Sequence, residues 1–328
     1  MSTIPGKIVR FYTPGAPDVL KMEDMELGPP KAGEVQVEHK AIGLNFIEVY
    51  WRTGVYPQPL PCCPGSEGAG IVRAVGEGVT DLKVGDRVAY GSGPVGSYAT
   101  VRNMPAHPLV KIPDSIDFET AAAMMLKGFT AQYLLRRVYK VQAGETILFH
   151  AAAGGVGSIV TQWAKSLGVR VIGTVSTREK AELARANGCA EVIITSEENI
   201  VDRVKELTDG KGVPVVYDSV GKATFLDSLN CLKPRGMMVS FGNASGKVDP
   251  VPLQWLAERG SLVLTRPTVA SFTVDKAEML ESAAEMFGVV ASGAVKIQIN
   301  QRFALADVVK AHTELENRRT TGCTVLIP

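Results

Sequence analysis

The sequence predicts an α/β protein built from a β-barrel-type domain and a doubly wound parallel sheet of six strands. Three observations lead to this fold class. Short strand-like segments, separated by glycine and proline, fill the chain from Lys7 to about Leu126. Strands and helices then alternate six times as far as Pro267. The remaining tail ends in an apolar strand that we expect to fold back onto the first domain.

The first part of the chain carries four strand signals, at 34–45, 68–79, 85–90 and 97–102. Their short length and close spacing are typical of a barrel-like β domain. A helix is predicted after them at 118–138.

The second part alternates apolar β-branched runs with helical patterns, which indicates a parallel sheet covered on both faces. Its strands are predicted at 146–151, 169–175, 191–195, 213–220, 236–242 and 261–267. The tail adds helices at 275–293 and 305–318 and strands at 295–303 and 323–328. We therefore assign 1–127 with 268–328 to one domain and 128–267 to the other.

Composition excludes several classes of protein. The 328 residues include 35 Lys and Arg against 34 Asp and Glu, so no basic field favours nucleic acid or an anionic membrane. We see no signal peptide at the start, and no apolar run reaches the roughly 18–20 residues of a membrane helix. The five cysteines have no C-x-x-C spacing, which argues against a disulfide framework. A cytoplasmic protein is predicted.

The motif HAAAGGVG, residues 150–157, follows the first strand of the alternating part and precedes a helix. It reads as G-x-G-x-x-G with Ala152 in place of the first glycine, which is acceptable if the φ of that alanine stays negative. A helix N-terminus at Gly154, Gly155 and Val156 would bind a pyrophosphate through backbone N–H groups. The alternative is a turn of small residues without a ligand. The six-fold alternation favours a Rossmann domain that binds a dinucleotide.

The second strand of that domain points to NADPH rather than NADH. NAD enzymes carry an acidic residue at its end to hold the ribose 2′-hydroxyl, and no carboxylate stands near 174–176. Ser176, Arg178 and Lys180 can instead give charge-assisted hydrogen bonds to a 2′-phosphate, with the adjacent Glu179 turned to solvent by a helix that starts at Lys180. An ordinary solvated helix start is the alternative interpretation.

Several segments together resemble a known family. They are AIGLNFIEVYWRTGVYP (41–57), GSEGAGIVRAVGEGV (65–79), LKGFTAQYLL (126–135), HAAAGGVGS (150–158), VVYDSVG (215–221), MVSFGNASG (238–246) and GCTVLIP (322–328). The chain is similar to the NADPH-dependent quinone oxidoreductases related to zeta-crystallin, in the medium-chain dehydrogenase/reductase superfamily. The resemblance implies a GroES-like catalytic domain beside the Rossmann domain. It also implies a homodimer formed through the sheet edge at 260–267, an apolar edge that must be covered or paired.

The resemblance also carries over site residues. Asn45, Tyr50 and Tyr56 would line the nicotinamide cleft between the domains as catalytic residues, although the two tyrosines could equally be packing residues. The further cofactor contacts would be Asn45, Lys127, Thr130, Ser219, Phe241, Gly242, Asn243, Arg266 and Arg318. Lys127 could also be only the cationic end of an exposed helix. Thr195 stands where relatives carry an aromatic residue that stacks on adenine, which weakens that subsite.

The zinc ligands of related alcohol dehydrogenases are missing. Asn45 and Ser66 replace a cysteine and a histidine, the third ligand falls near Leu126–Lys127, and the region 91–100 has no cysteine. Only Glu67 remains, and one carboxylate does not make a metal site. His150 lies in an apolar strand and is interpreted as a core histidine. No metal is predicted.

Without a Lewis acid, the expected substrate is one that accepts hydride directly, which favours a quinone. The function predicted is metal-free NADPH:quinone oxidoreduction. A reductase of enone or alkenal double bonds is the alternative enzyme. The alternative outside catalysis is a protein that binds NADPH or RNA, which the balanced charge disfavours.

Overall fold

A computed structural model describes residues 3–328 of the chain. The chain divides into two compact units. The first contains the chain up to Phe129 together with 272–291 and 297–328, and the second contains 130–271 and 292–296. The domain boundaries set from the sequence stay a prediction. Within residues 3–328 no helix is long and apolar enough to cross a membrane.

The first unit is built on a seven-stranded sheet and a two-stranded antiparallel ribbon. The ribbon consists of β1 (Ile4–Arg10) and β2 (Lys21–Leu27). The larger sheet contains β3 (Glu34–Leu44), β4 (Gly68–Val75), β5 (Arg87–Tyr90), β6 (Val101–Pro105), β7 (Val110–Lys111), β14 (Ile299–Ala304) and β15 (Cys323–Ile327). Its order is β14-β15-β3-β4-β5-β7, with β6 also paired to β3.

The C-terminal strand joins this sheet as the sequence predicts, because β15 pairs antiparallel with β3 through Thr324 and Leu44. The strand predicted at 97–102 is wrong in position, since β6 begins at Val101. The N–H groups of residues 97–99 do not take part in a strand ladder. Ser97 and Tyr98 donate to the carbonyls of Gly65 and Pro64, and Ala99 donates to the carbonyl of Ser97. The strand predicted at 295–303 likewise begins only at Ile299.

The helices of the first unit are α1 (Phe46–Arg52), the first three turns of α2 (Phe118–Tyr133), α9 (Lys276–Ala291) and α10 (Val308–Glu316). The sequence did not predict α1. Arg52, fully buried at the end of α1, bonds the Gly15 carbonyl and pairs with Glu316 at the end of α10. These contacts fix α1, the helix that carries Tyr50, against the C-terminal part of the chain.

The second unit contains the predicted parallel sheet, in the order β10-β9-β8-β11-β12-β13. Every neighbouring pair is parallel, which is the doubly wound arrangement, so the fold class is confirmed. Its strands are β8 (Thr146–Phe149), β9 (Arg170–Val175), β10 (Glu191–Ile194), β11 (Val213–Asp218), β12 (Leu232–Ser240) and β13 (Val263–Thr265). Its helices are α3 (Gly155–Ser166), α4 (Arg178–Ala186), α5 (Ile200–Leu207), α6 (Phe225–Asn230), α7 (Gln254–Glu258) and α8 (Val269–Phe272), whose last residue belongs to the first unit.

Residues 134–138, predicted as the end of the long helix, form a π-helical turn instead of continuing α2. Tyr217 of β11 donates a hydrogen bond to the Leu134 carbonyl at 3.0 Å, so the turn is tied to the sheet. The core beside the sheet is formed by apolar residues of strands and covering helices, among them Leu148, Ile172, Ile193, Val216, Leu229 and Met238.

Candidate active site

The loop between β8 and α3 leaves the N-terminus of α3 open to a ligand. Gly154 caps the helix with φ −80°, and no side chain caps the first turn. A Cβ at Gly157 would lie 2.5 Å from the Ala151 carbonyl oxygen, so the close approach of helix and loop requires glycine there. A Cβ at Gly154 would have one neighbour, that same oxygen at 3.2 Å. The loop therefore fits an anionic group, such as a pyrophosphate, bound by N–H groups.

The left-handed residue of this loop is Ala151, with φ 55°. Ala152, which stands at the first glycine position of the motif, is not among the residues of positive φ. An alanine in this region costs roughly 1 kcal/mol relative to the right-handed conformation. The strain lies one residue earlier than the motif alone suggests.

The residues predicted to hold a 2′-phosphate lie after β9. The helix α4 begins at Arg178 and is capped by Thr177, whose side chain accepts from the Lys180 N–H, so the predicted start at Lys180 is wrong by two residues. Arg178 forms a bidentate ion pair with Glu197 at 2.8 and 3.0 Å. Ser176 is exposed, and its carbonyl accepts a hydrogen bond from Ser196.

The carboxyl ends of β11 and β12 bring four predicted cofactor residues together. A Cβ at Gly242 would lie 2.4 Å from the Ser219 carbonyl oxygen, so the two loops are in backbone contact. The Phe241 ring lies 5.8 Å from that of Phe149, at the end of β8. The Asn243 carbonyl accepts from Gly246 and closes the next turn. Ligands of open α/β sheets bind at this edge.

Arg266 and Thr130 approach the same region of the second unit. Arg266 donates to the carbonyl of Ser240, the last residue of β12, at 2.7 Å. Burial raises the pKa of Tyr133 to about 12, while its hydrogen bond with Thr130 and the charge of Arg266 act in the opposite direction. Tyr133, which the sequence did not single out, therefore bonds Thr130 and lies within the electrostatic reach of Arg266.

In the first unit, the fully buried carboxylate of Glu67 holds two predicted site residues. Its Oε2 accepts from the Asn45 amide at 2.9 Å and from the Lys127 ammonium at 2.9 Å. Its Oε1 accepts from the Leu126 N–H at 2.8 Å. Burial lowers the pKa of Lys127, but the charge and hydrogen bond of Glu67, together with the nearby Cys323 and Glu48, leave that pKa raised. Lys127 is therefore a buried cation with a buried partner and not the exposed end of a helix.

A second buried carboxyl, Glu48, lies beside this pair. Burial raises its pKa to about 8; Lys127 acts against this shift, and Glu67 adds to it by repulsion. Glu48 accepts from the Asn45 backbone N–H, and the Ser66 hydroxyl donates to it at 3.3 Å. Lys127 pairs with Glu67, and the pKa of Glu48 favours its neutral form at pH 7.

The two predicted tyrosines contact each other. The Tyr50 ring lies 5.1 Å from that of Tyr56 and 5.3 Å from that of Phe46, edge to face in both cases. The Tyr56 N–H also bonds the Tyr50 carbonyl at 3.0 Å. Both tyrosines are partly buried. Arg318 follows α10 in a left-handed conformation, with φ 58°, and its side chain is exposed.

The group around Glu67 does not fit a metal ion. Every atom bound to its carboxylate is a hydrogen-bond donor, and Lys127 brings a positive charge to the same place. Among residues 3–328 no three His, Cys, Asp or Glu side chains are grouped so that they could hold a metal. The ammonium group of Lys127 supplies the positive charge that balances the Glu67 carboxylate.

Sequence reasoning missed Glu67, Glu48 and Gly43 as parts of the site. The spacing Asn45-x-x-Glu48 is a helix-capping signal that could have predicted α1 and placed Glu48 at its first turn. A Cβ at Gly43 would lie 2.1 Å from Glu67 Oε2, so the position of that carboxylate depends on a glycine in β3. No local pattern announces that contact.

Two family profiles match the chain. One is described as the alcohol dehydrogenase GroES-like domain and covers residues 31–114, and the other is described as zinc-binding dehydrogenase and covers 155–288. A quinone oxidoreductase of Pseudomonas aeruginosa is 56% identical over 98% of this chain and 99% of its own length. The chain belongs to the quinone oxidoreductase family of the medium-chain dehydrogenases/reductases.

Two further proteins are similar to this chain over nearly its whole length. The crystal structure of an Escherichia coli quinone oxidoreductase complexed with NADPH superposes with a TM-score of 0.97 at 47% identity, covering 98% of this chain and all of that one. A 2-haloacrylate reductase of a Burkholderia species is 44% identical over 97% of this chain and 98% of its own length. The fold is thus common to reductases of different acceptors.

Proposed function

We propose that this protein is an NADPH-dependent quinone oxidoreductase that works without a metal ion. The observation that carries the proposal is the group around Glu67, whose carboxylate accepts hydrogen bonds from the Asn45 amide and the Lys127 ammonium in place of binding a metal ion. Relatives named quinone oxidoreductase, similar over their whole length, support the substrate class.

The open N-terminus of α3 fits the pyrophosphate of NADPH, with Gly154, Gly155 and Val156 as its N–H donors. The remaining proposed contacts are those predicted from the sequence: Asn45, Lys127, Thr130, Ser176, Lys180, Ser219, Phe241, Gly242, Asn243, Arg266 and Arg318. When bound, the nicotinamide supplies a hydride, which with one proton from solvent reduces a quinone to a hydroquinone. A complex of a family member with NADPH supports this cofactor.

The chain's own residues orient the reactants. Because the Asn45 amide nitrogen donates to Glu67, its orientation is fixed by a fully buried carboxylate. Lys127 keeps its charge through the same partner. The hydroxyl groups of Tyr50 and Tyr56 can donate to the quinone oxygen on which negative charge develops. Positioning of this kind is the main contribution that a protein can make to hydride transfer.

Reduction of a conjugated double bond is the second candidate. The 2-haloacrylate reductase, at 44% identity over nearly the whole chain, favours it, since the name denotes an alkene conjugated to a carboxylate. The same hydride donor and the same positioning groups would serve an enone or a haloacrylate.

The test is NADPH oxidation by 1,4-benzoquinone and by 2-chloroacrylate after exhaustive chelation, with NADH in parallel. Quinone turnover that survives chelation and prefers NADPH is the expected result. Turnover of 2-chloroacrylate alone would establish the second candidate. Loss of activity on chelation, restored by zinc, would refute the metal-free proposal.

We also propose a homodimer and a cytoplasmic location. β13 is an edge strand of the six-stranded sheet, and Val263 on it is 46% exposed, which supports pairing with a second copy. Light scattering at micromolar concentration should give twice the mass of the chain, and Val263→Lys should give monomers. All five cysteines are free thiols, as a reducing compartment requires, and the balanced charge supports the absence of a nucleic-acid partner.

A further inference from the structure

A chain of buried hydrogen bonds runs beneath the proposed cofactor loops of the second unit. It starts at Thr174 in β9, passes through His150 and Ser228, and ends at Asp218, the last residue of β11. Each of its three contacts measures 2.9 Å. All four side chains are buried, and three of them are fully inaccessible.

The direction of every hydrogen bond in this chain follows from its acidic end. A carboxylate only accepts, so the Ser228 hydroxyl gives its one proton to Asp218 Oδ2. The oxygen of Ser228 must then accept from His150, which places the imidazole proton on Nε2. Burial lowers the pKa of His150, so the ring is neutral and Nδ1 accepts from the Thr174 hydroxyl.

Asp218 connects this chain to the backbone of the cofactor loops. Its Oδ1 accepts from the N–H groups of Val220 at 2.7 Å and Gly221 at 3.0 Å, in the loop that begins at Ser219. Its backbone carbonyl accepts from the N–H groups of Phe241 and Gly242. One residue therefore contacts both loops, the β11 loop through its carboxylate and the β12 loop through its backbone carbonyl.

We propose that His150 is a positioning residue for the dinucleotide, holding Asp218 and its two loops in register with the loop after β8. The ring achieves this as a fixed Nε2–H tautomer that links the ends of β8 and β9 to β11. The inference rests on the proposed function, because it assigns His150 to the same cofactor site. A histidine that only fills the core would leave NADPH affinity unchanged when its link to Asp218 is removed.

The tautomer is tested on the whole protein labelled with ¹⁵N-histidine. The chain has four histidines, and His150→Gln identifies the signal of His150. We expect a pyrrole-type Nε2 and a pyridine-type Nδ1. His39 is the internal control, because its Nδ1 lies 2.6 Å from the Ala99 carbonyl, which only accepts, and so must carry the proton. A His150 ring protonated on Nδ1 would overturn the proposal.

The positioning role is tested with Ser228→Ala, which breaks the link between His150 and Asp218: it leaves the His150 Nε2–H without an acceptor and removes the hydroxyl that donates to Asp218. We expect the KM for NADPH to rise about tenfold, with the KM for quinone and kcat within twofold of the wild type. Ser228→Thr keeps a hydroxyl and should restore the KM for NADPH. His39→Gln, in the first unit, should lower the unfolding temperature without changing the KM for NADPH.

The two levels of the proposal fail in different ways. A wild-type protein that reduces no quinone refutes the proposed function. In that case the NADPH affinity of the same variants is measured by fluorescence titration. A wild type that binds NADPH, together with a Ser228→Ala variant whose NADPH affinity stays within twofold, refutes the role of His150 alone.

Discussion

Glu67→Gln is the substitution whose consequence the structure defines most closely. The carboxylate accepts from the Leu126 N–H on one oxygen and from Asn45 and Lys127 on the other. A glutamine has one donor group, so in either orientation of its amide a donor faces a donor. It also leaves the buried ammonium of Lys127 without its ion-pair partner.

The expected loss of stability is about 3–5 kcal/mol, the usual cost of removing one member of a buried ion pair. Lys127→Met alone leaves a buried carboxylate with two neutral donors and should also destabilise. In the double variant no unpaired charge remains. We therefore expect the double variant to lose at least about 2 kcal/mol less than the sum of the two single losses.

The free energy of unfolding of these three variants is measured by urea titration followed by circular dichroism, with NADPH:quinone turnover measured in parallel. Glu119→Gln is the matched control, since its 2.6 Å pair with Arg302 is exposed and should contribute under about 1 kcal/mol. A Glu67→Gln variant as stable as this control, or single losses that simply add, would refute the reasoning.

Three further outcomes are expected. The pKa of Glu48 is raised by burial from 4.5 to about 8, so the folded protein holds a proton that the unfolded chain releases, and this group makes the free energy of unfolding fall between about pH 5 and 8. Glu48→Gln should remove that slope in urea titrations, and an unchanged slope would contradict the assignment. Gly157→Ala should destabilise the protein because its Cβ would lie 2.5 Å from the Ala151 oxygen. Gly154→Ala, whose Cβ would lie 3.2 Å from that oxygen, should change the unfolding temperature much less and raise the Kd for NADPH about tenfold or more, measured by fluorescence titration; equal effects would argue against an anion site at α3. Glu197→Gln should tighten NADPH binding about two- to fivefold at low salt and not at high salt, because Arg178 loses a competing partner, and a weaker affinity would show that the ion pair supports the site.

The sequence alone determined the architecture of this protein and the position of its glycine-rich loop. Strand and helix signals arise from residues two to four positions apart, so the six-fold alternation predicted the parallel sheet without any knowledge of distant contacts. The glycines of HAAAGGVG and the missing carboxylate after β9 are equally local. Boundaries moved where backbone hydrogen bonds to distant residues intervened, as at 97–99, which bond to Gly65 and Pro64.

Tertiary structure decided how the side chains of the site are held. Glu67 looks like an isolated carboxylate along the chain, yet it pairs with residues 22 and 60 positions away. His150 reads as a core residue until Ser228, 78 positions away, fixes its proton. Charge balance, pKa and tautomer depend on which groups meet in the folded interior, and that is a property of long-range packing that no local pattern encodes.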